Sequence, residues 1–256
     1  MTEALMTNDN VKAAVKEKYA EIAKTANSCC GPSCGCGTET GLAGTIIMND
    51  LYTGVDPQIR KDADLGLGCG TPTAFADMAE GMTILDLGSG AGIDVFLAAK
   101  QVGPTGKAIG VDMTEEMIAR AEMNKKKLGL TNVEFRRGEI ENLPVESGSI
   151  DRILSNCVIN LVPDKKQAFA EMYRVLKPGG KFTVSDIVSI GQLPTTLRAN
   201  LLEWAGCVAG ALDRNEYLTV IQNAGFRDVT VVAEKPYNLG PKSPFGLHSI
   251  TVSAAK

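Results

Sequence analysis

Seven cysteines give this 256-residue chain its most distinctive chemistry. Four of them lie close together in the stretch SCCGPSCGC at residues 28–36, as Cys29, Cys30, Cys34 and Cys36. The other three, Cys69, Cys157 and Cys207, are widely separated along the sequence. Thiolates are the ligands that soft metals and metalloids prefer. The pattern therefore raises the question of whether the cysteines hold a metal, form disulfides or serve a reactive centre.

The clustered cysteines leave three interpretations open. Zinc could bind Cys29 or Cys30 with Cys34 and Cys36, but structural zinc sites usually pair two C-x-x-C units across a longer loop, and that spacing is absent. Disulfides are the second interpretation, although they are transient in a reducing compartment. The third is a thiol-bearing flap that assists a site elsewhere in the fold.

The isolated cysteines favour a site by their positions. Cys157 follows an apolar run that predicts a strand, and ligands of open α/β sheets bind beyond the carboxyl ends of the strands. Cys69 and Cys207 lie in the loops LGCGTP and WAGCVAG, whose small residues leave space near sulfur. Each cysteine taken alone is better explained as a small buried hydrophobic residue. Periodicity cannot show that the three converge.

Composition and charge exclude several classes of protein. The chain is 44% hydrophobic and 22% charged, with a net charge of -4, as expected for a globular protein rather than a nucleic-acid binder. Its apolar runs are too short to span a bilayer, so no membrane partner is expected. The N-terminus has no signal pattern, which predicts a cytoplasmic protein. In that compartment cysteines are more often catalytic or metal-binding than disulfide-bonded.

Strand and helix patterns alternate from residue 82 onward, which predicts a parallel sheet covered by helices on both faces. Before it, residues 9–26 predict a helix capped by Asn8 or Asp9, and residues 37–72 predict an irregular flap. The segment DKKQAFAEMYRVLKPGG predicts a helix that Pro178 and Gly179 stop, followed by a fifth strand, KFTVSDIV. A helix near 213–224 and two strands near 227–234 and 246–254 complete the pattern.

The motif DLGSGAG, at residues 86–92, predicts a cofactor site. It lies between a strand and a helix, where glycines let the backbone turn tightly and approach a ligand. Asp112 ends the next strand, where an acid commonly binds ribose hydroxyls. A capped tight turn is the structural alternative, and the downstream acid makes it the less favoured one.

The D-x-G-x-G-x-G spacing, with GVD, GEIENLP and VLKPGGKF further on, resembles the class I S-adenosylmethionine-dependent methyltransferases. The resemblance implies a Rossmann-like α/β fold, with a seven-stranded, mostly parallel sheet that ends in an antiparallel hairpin. It implies that S-adenosylmethionine is the cofactor and that Asp112 binds the ribose, Met113 flanks the adenine and Glu139 reaches its amino group. The cofactor-binding residues that it implies are Asp86, Gly88, Ser89, Gly90, Asp112, Met113, Glu139, Ile140 and Asn156.

The expected organisation has three parts: an N-terminal helix with a Cys/Gly-rich flap at 1–72, a cofactor-binding domain at 73–190 and a substrate-side segment with the last two strands at 191–256. The sequence leaves open whether the last part is a separate domain or completes the sheet.

The segments LGLGCGTP, SNCVINLVPDK and EWAGCVAGAL, with the N-terminal Cys-Cys pair, are similar to the arsenite S-adenosylmethionine methyltransferase family. This resemblance implies that Cys69, Cys157 and Cys207 bind trivalent arsenic and that Cys29 or Cys30 is accessory. It also implies that arsenite or a thiol conjugate of it is the substrate, and that thioredoxin or glutathione acts as an external thiol reductant. The protein is expected to be a monomer that detoxifies arsenic.

Two other functions remain open at this stage. A class I methyltransferase of a small organic acceptor, such as a quinone or a sterol precursor, would leave the cysteines incidental. A thiol-based metalloid-binding protein would leave the glycine motif without a role. Methylation of an oxygen acceptor normally needs a base, and the only histidine, His248, falls in a predicted terminal strand. Glu203 and Asp186 remain alternative bases.

Overall fold

A computed structural model describes residues 6–24, 52, 55–240 and 243–256. Its helices are α1 (Asn8–Lys24), α2 (Pro57–Ala63), α3 (Ile93–Val102), α4 (Glu115–Leu128), α5 (Lys165–Val175), α6 (Thr195–Arg198), α7 (Leu201–Ala205) and α8 (Arg214–Asn223). Its strands are β1 (Thr83–Leu87), β2 (Lys107–Asp112), β3 (Val133–Arg137), β4 (Ile150–Asn156), β5 (Leu176–Ile190), β6 (Arg227–Tyr237) and β7 (Gly246–Ala255). Within these ranges no helix is long and apolar enough to cross a membrane.

The strands form one seven-stranded sheet in the order β3-β2-β1-β4-β5-β7-β6. Strands β1 to β5 are parallel, whereas β7 pairs antiparallel with both β5 and β6. The predicted fold, including the terminal antiparallel hairpin, is therefore confirmed. Strands β6 and β7 complete the sheet and do not form a sheet of their own.

The sheet separates two apolar cores because successive side chains of a strand point to opposite faces. Ile84 of β1 packs in a buried cluster with α3, whereas its neighbour Leu85 packs in a cluster that includes Phe169 of α5 and Tyr217 of α8. Helices thus cover both faces, and the carboxyl ends of the central strands are left as the edge where a site can form.

Helix α1 begins at Asn8, and its N-cap is Thr7, which lies before both residues that the sequence indicates. The Thr7 hydroxyl accepts a hydrogen bond from the Asn10 amide at 3.2 Å, and the Thr7 carbonyl accepts from Val11 at 3.0 Å. The prediction of Asn8 or Asp9 as the N-cap was wrong, because a threonine two residues before the aspartate provides the capping oxygen.

The expected irregular flap at 37–72 contains helix α2. Asp56 caps it by accepting from the Gln58 amide at 2.9 Å, Pro57 occupies its first position, and Ile59 and Ala63 are buried one turn apart. This N-cap and proline pair is a regular helix start that the glycine-rich surroundings obscured. Residues 37–51, 53 and 54 of the predicted flap lie outside the described residues, as do all four clustered cysteines.

The boundary between α5 and β5 also differs from the prediction. The helix ends at Val175, and Leu176 is already extended and paired in register with Ile150 of β4. Pro178 disfavours helical backbone at the residue before it. Leu176 is buried where it pairs with β4, so it joins the sheet instead of extending the helix. The strand consequently starts at Leu176 rather than near residue 181.

Candidate active site

A cavity opens at the carboxyl ends of β1, β2 and β4, between these strands and helix α1. It is lined by all nine residues that the sequence predicted for the cofactor and by one of the three isolated cysteines, Cys157. The nine are Asp86, Gly88, Ser89, Gly90, Asp112, Met113, Glu139, Ile140 and Asn156. The fold thus brings together residues from four separate segments, as the parallel topology requires.

The glycine loop after β1 forms the floor of this cavity. Gly88 has a φ of 65°, and its amide donates to the Val111 carbonyl of β2 at 2.8 Å. A Cβ atom at this position would lie 2.5 Å from the Val158 side chain. The position therefore needs glycine both for its left-handed backbone and for the close approach of the following loop.

Three buried carboxyl groups surround the loop. Asp112 accepts hydrogen bonds from the Gly90 amide at 2.9 Å and from the Thr114 amide at 2.8 Å. Burial, and then the charges of Asp94 and Asp112, raise the pKa of Asp86 well above its usual value. Burial likewise raises the pKa of Asp94 to about 6. A cationic ligand that also carries hydroxyl groups would relieve this repulsion and desolvation.

Glu139 lies on the far rim of the cavity. Its side chain is half exposed, and its carboxylate pairs with Lys12 of α1 at 2.6 Å. Lys12 also pairs with Glu141 at 3.0 Å. The lysine thus ties α1 to the loop after β3, next to Ile140, which is buried.

The three isolated cysteines meet beside the cavity, deep in one apolar cluster. Cys69, Cys157 and Cys207 are at most 2% exposed, and within the described residues none of them forms a disulfide. The thiols of Cys69 and Cys207 both lie near enough to the Cys157 thiol to raise its pKa. The Cys207 sulfur also lies 3.6 Å from the Cys157 carbonyl oxygen. The structure thus joins in one cluster three thiols whose convergence the sequence could not show.

Two of these cysteines have a backbone that non-glycine residues rarely adopt. The φ angle is 61° at Cys157 and 67° at Cys207, both in the left-handed region. Such residues cost on the order of 1–3 kcal/mol and cluster at functional sites. The strain turns both cysteines out of their regular elements at the point where the thiols meet.

Burial raises the pKa of the Cys69 thiol, and burial together with the hydrogen bonds from Cys207 and Cys69 raises the pKa of Cys157 well above its usual value. Both thiols are therefore protonated at neutral pH. Across the described residues, no three His, Cys, Asp or Glu side chains stand in a ready-made metal-ion geometry. The thiols are neighbours, but their present arrangement is not a three-ligand site.

The two acids named as alternative bases lie behind the thiols. Asp186 is fully buried and accepts a hydrogen bond from the Tyr217 hydroxyl at 3.1 Å, and burial raises its pKa to about 7. Glu203 is also buried, in α7. His248 lies in β7 as expected and pairs with Glu234 at 2.7 Å, and it does not line the cavity.

Two tyrosines at this site were missed by the sequence reasoning. The Tyr19 hydroxyl of α1 lies 3.9 Å from the Cys207 sulfur, and Tyr19 lines the cavity. Tyr52 is buried, and its hydroxyl donates to Asp94 at 2.6 Å. The i, i+4 spacing of Val11, Val15 and Tyr19 was a usable signal for the first. Nothing in the pattern around Tyr52 marks the second.

Cys29 and Cys30, the predicted accessory cysteines, lie outside the described residues, as do Cys34 and Cys36. Their roles stay predictions.

Comparison with known proteins agrees with this geometry. A family model described as "Methyltransferase domain" matches residues 78–225, which contain the glycine loop, Asp112 and Cys157. A solved structure of an arsenic(III) S-adenosylmethionine methyltransferase from Chlamydomonas reinhardtii has a TM-score of 0.69 and 34% identity, covering 84% of this chain and 73% of that one.

Curated relatives point the same way. The arsenite methyltransferase of Halobacterium salinarum is 44% identical over 250 residues, covering 90% of this chain and 63% of that protein. The human arsenite methyltransferase is 40% identical over 168 residues, covering 62% of this chain and 44% of that protein. The chain belongs to the methyltransferase domain family and, within it, to the arsenite methyltransferases. It spans less than two thirds of the length of these two curated relatives.

Proposed function

We propose that this protein transfers methyl groups from S-adenosylmethionine to trivalent arsenic held by Cys69, Cys157 and Cys207. The observation that carries the proposal is the meeting of three buried thiols beside the cavity that the glycine loop and Asp112 form. The names of the relatives supply the arsenic chemistry.

The cavity fits the proposed cofactor on features of its own. Ser89 and Asp94 line it, and within the described residues the buried atoms Ser89 Oγ and Asp94 Oδ1 form no hydrogen bond. The buried carboxyl groups suit a ligand that carries a sulfonium and an ammonium group. Asp86, Gly88, Ser89 and Gly90 would hold its methionyl end. Asp112 would bind its ribose hydroxyls, with Met113, Glu139, Ile140 and Asn156 around its base and linker.

When bound, S-adenosylmethionine supplies an electrophilic methyl group on a positively charged sulfur. The protein's own contribution is to hold the acceptor in line with that methyl group and to exclude water, and such positioning accounts for a large part of catalysis in reactions of this type. Burial of all three thiols in an apolar cluster provides the water exclusion.

At neutral pH arsenite occurs as arsenous acid, whose hydroxides can be exchanged for thiols. Each thiol that binds replaces one hydroxide of arsenous acid, and its proton leaves with that hydroxide as water. Three such exchanges leave arsenic with three sulfur ligands and one lone pair. The lone pair is the nucleophile, so the reaction at arsenic needs no general base.

Methylation formally raises arsenic from the trivalent to the pentavalent state, so a further cycle needs two electrons. We propose that an external thiol reductant, such as thioredoxin or glutathione, supplies them and is itself oxidised to a disulfide. Arsenite would arrive free or as a thiol conjugate, with Cys29 or Cys30 as accessory thiols. Each cycle would add one methyl group.

The remaining features of the proposal concern the protein's surroundings. A net charge of -4 argues against a nucleic-acid partner, and a reducing cytoplasm would keep the thiols reduced. We propose a monomer in that compartment that detoxifies arsenic, without a nucleic-acid or membrane partner.

The test is methylation of arsenite by the reduced protein and by single Cys69→Ser, Cys157→Ser and Cys207→Ser variants, with binding of S-adenosylmethionine measured alongside. We expect each variant to lose methylation while cofactor affinity stays within about threefold, because serine oxygen is a poor ligand for a soft centre. Normal methylation by the variants would refute the arsenic site and leave the cofactor site standing.

A further inference from the structure

The side-chain amide of Asn156 fastens the loop that carries Cys69. Its Oδ1 accepts a hydrogen bond from the Cys69 amide at 3.0 Å, and its Nδ2 donates to the Gly70 carbonyl at 2.8 Å. One amide thus pairs with the backbone on both sides of Cys69, much as a neighbouring strand would. Because Asn156 directly precedes Cys157, this pairing sets the separation between the two cysteines.

The same amide is linked to the glycine-loop side of the cavity. Asn156 Nδ2 also donates to the Tyr52 hydroxyl at 2.8 Å, and that hydroxyl donates to Asp94 Oδ2 at 2.6 Å. Asp94 lies in the first turn of α3, immediately after the glycine loop. A continuous hydrogen-bonded chain therefore runs from that turn to the backbone of Cys69.

The packing around the Cys69 loop leaves it little independent freedom. A Cβ atom on Gly68 would lie 2.8 Å from Asn156 Nδ2, and one on Gly70 would lie 2.5 Å from Ser185 Oγ. The Cys69 carbonyl accepts a further hydrogen bond from the Ser249 hydroxyl. A displacement of Asn156 must therefore move Cys69 or break these contacts.

The chain ends at a carboxyl group that borders the cavity. Asp94 lines the cavity, and its buried Oδ1 forms no hydrogen bond within the described part of the chain. A cationic group bound in the cavity would attract this carboxylate and so alter its bond to Tyr52. The hydrogen-bonded chain therefore ends at the Asp94 carboxyl group, on the cofactor side.

We propose that Asn156 is a positioning residue that couples occupancy of the cofactor cavity to the placement of Cys69, through Tyr52 and Asp94. Binding of the cofactor would then set the distance between the Cys69 and Cys157 thiols that bind the acceptor. This inference rests on the proposed function for the identity of the ligands, whereas the hydrogen-bonded coupling itself is testable without arsenic.

The experiment measures how fast Cys69 reacts with a pulse of N-ethylmaleimide, followed by peptide mass spectrometry, with and without saturating S-adenosylhomocysteine. In the wild type we expect the ligand to change the Cys69 rate by about tenfold, a typical allosteric coupling. Tyr52→Phe removes one hydroxyl and leaves both Asn156 bonds to the loop. It should show the wild-type rate without ligand and less than about a twofold response to ligand at saturation.

Asn156→Ala should raise the Cys69 rate without ligand by about tenfold, because the loop opens more often. The matched control is Asn132→Ala, which removes an amide that donates to the Ala99 and Gly103 carbonyls, at 2.9 and 2.8 Å, away from the thiols. The control should keep both the wild-type rate and the wild-type response.

An undiminished ligand response in Tyr52→Phe would overturn the proposal, because direct shielding by the ligand would then explain the effect. Equal rates in Asn156→Ala and Asn132→Ala would also overturn it. Arsenite affinity measured on the same proteins separates the two claims. A wild-type protein whose Cys69 rate does not respond to the ligand, although it binds arsenite, defeats the inference alone, and a normal response without arsenite binding defeats the proposed function alone.

Discussion

Cys157 and Cys207 combine a buried thiol with a backbone that glycine adopts more easily. At most positions glycine is less favourable than alanine, because it loses more backbone freedom on folding. With φ at 61°, Cys157 reverses that order, since a Cβ atom is strained there. The protein keeps a strained cysteine where glycine would be more stable, which is the pattern expected of a functional residue.

We expect Cys157→Gly to be more stable than Cys157→Ala by about 1 kcal/mol in urea unfolding. Cys69 is the matched control, because its φ is not among the positive values of the described residues. There the order should reverse, with Cys69→Ala the more stable. If Cys157→Ala were as stable as Cys157→Gly, or more stable, the backbone at position 157 would not be strained.

Asp94 predicts a pH dependence of stability. Its pKa is raised by burial to about 6 in the folded protein, from a usual value of 3.8. Folding therefore favours the protonated form, so this contribution to stability is complete below pH 3.8 and is lost as the pH rises through 6. The unliganded wild type should thus lose stability relative to Asp94→Asn as the pH increases.

Urea unfolding of Asp94→Asn and the wild type at pH 5 and pH 8 checks this sign. Between pH 5 and pH 8, we expect the free energy of unfolding of the variant to rise by about 1 kcal/mol relative to that of the wild type. Asparagine retains an oxygen for the Tyr52 hydroxyl, so that hydrogen bond is not a confounding loss. A difference that is constant across this range would mean that the carboxyl does not titrate there.

Part of the cavity could be located from the sequence pattern, whereas its other predicted residues and the thiol cluster could be inferred only by resemblance. Asp86, the glycine loop and Asp112 have fixed places in a strand-turn-helix pattern, so their spacing locates them. Cys69 and Cys207 lie in loops, where no periodicity relates sequence distance to spatial distance. Tyr52 was missed for the same reason.

At the scale of elements, helix α1 closes the cavity. It contacts both α4 and α7, and its buried Val11 and Val15 pack in the same apolar cluster as the three cysteines. The Lys12 pairs with Glu139 and Glu141 fasten its first turns, although such partly exposed pairs contribute little stability. The apolar face, rather than the ion pairs, must therefore hold the helix in place.

We expect Val15→Asp to release α1, because a buried unpaired carboxylate is costly. Ala13→Asp introduces the same residue on the exposed face of the same helix and should have no such effect. Release should speed reaction of Cys207 with N-ethylmaleimide about tenfold in the first variant only. Equal labelling of Cys207 in both variants would show that α1 does not cover the thiols.

The alternation of strands and helices was predictable from the apolar pattern, but several boundaries were not. Helix α2 was hidden because only its cap and two apolar residues indicate it within a glycine-rich region. The pairing of Leu176 with β4 could not be predicted from the helical pattern, because its partner in β4 is distant in sequence. The division of the chain at residues 72 and 190 stays a prediction, although β6 and β7 share the sheet of the preceding strands.

At the scale of the whole molecule, the topology explains why the two halves of the site adjoin. Parallel pairing of β2, β1, β4 and β5 places their carboxyl ends along one edge. The glycine loop, Asp112 and Cys157 follow three of these strands, and Cys207 follows α7 beyond the fourth. A cofactor cavity and a thiol cluster on one edge allow group transfer without movement of a domain.

The most direct test of the account is the arsenic K-edge X-ray absorption spectrum of the reduced protein with one equivalent of arsenite. We predict three sulfur ligands and no oxygen, and a first shell with fewer than three sulfur ligands in Cys207→Ser, because arsenic(III) exchanges oxygen for thiolate ligands. Oxygen ligands in the wild-type spectrum, or three sulfur ligands in Cys207→Ser, would contradict the assignment of Cys69, Cys157 and Cys207 as the arsenic site.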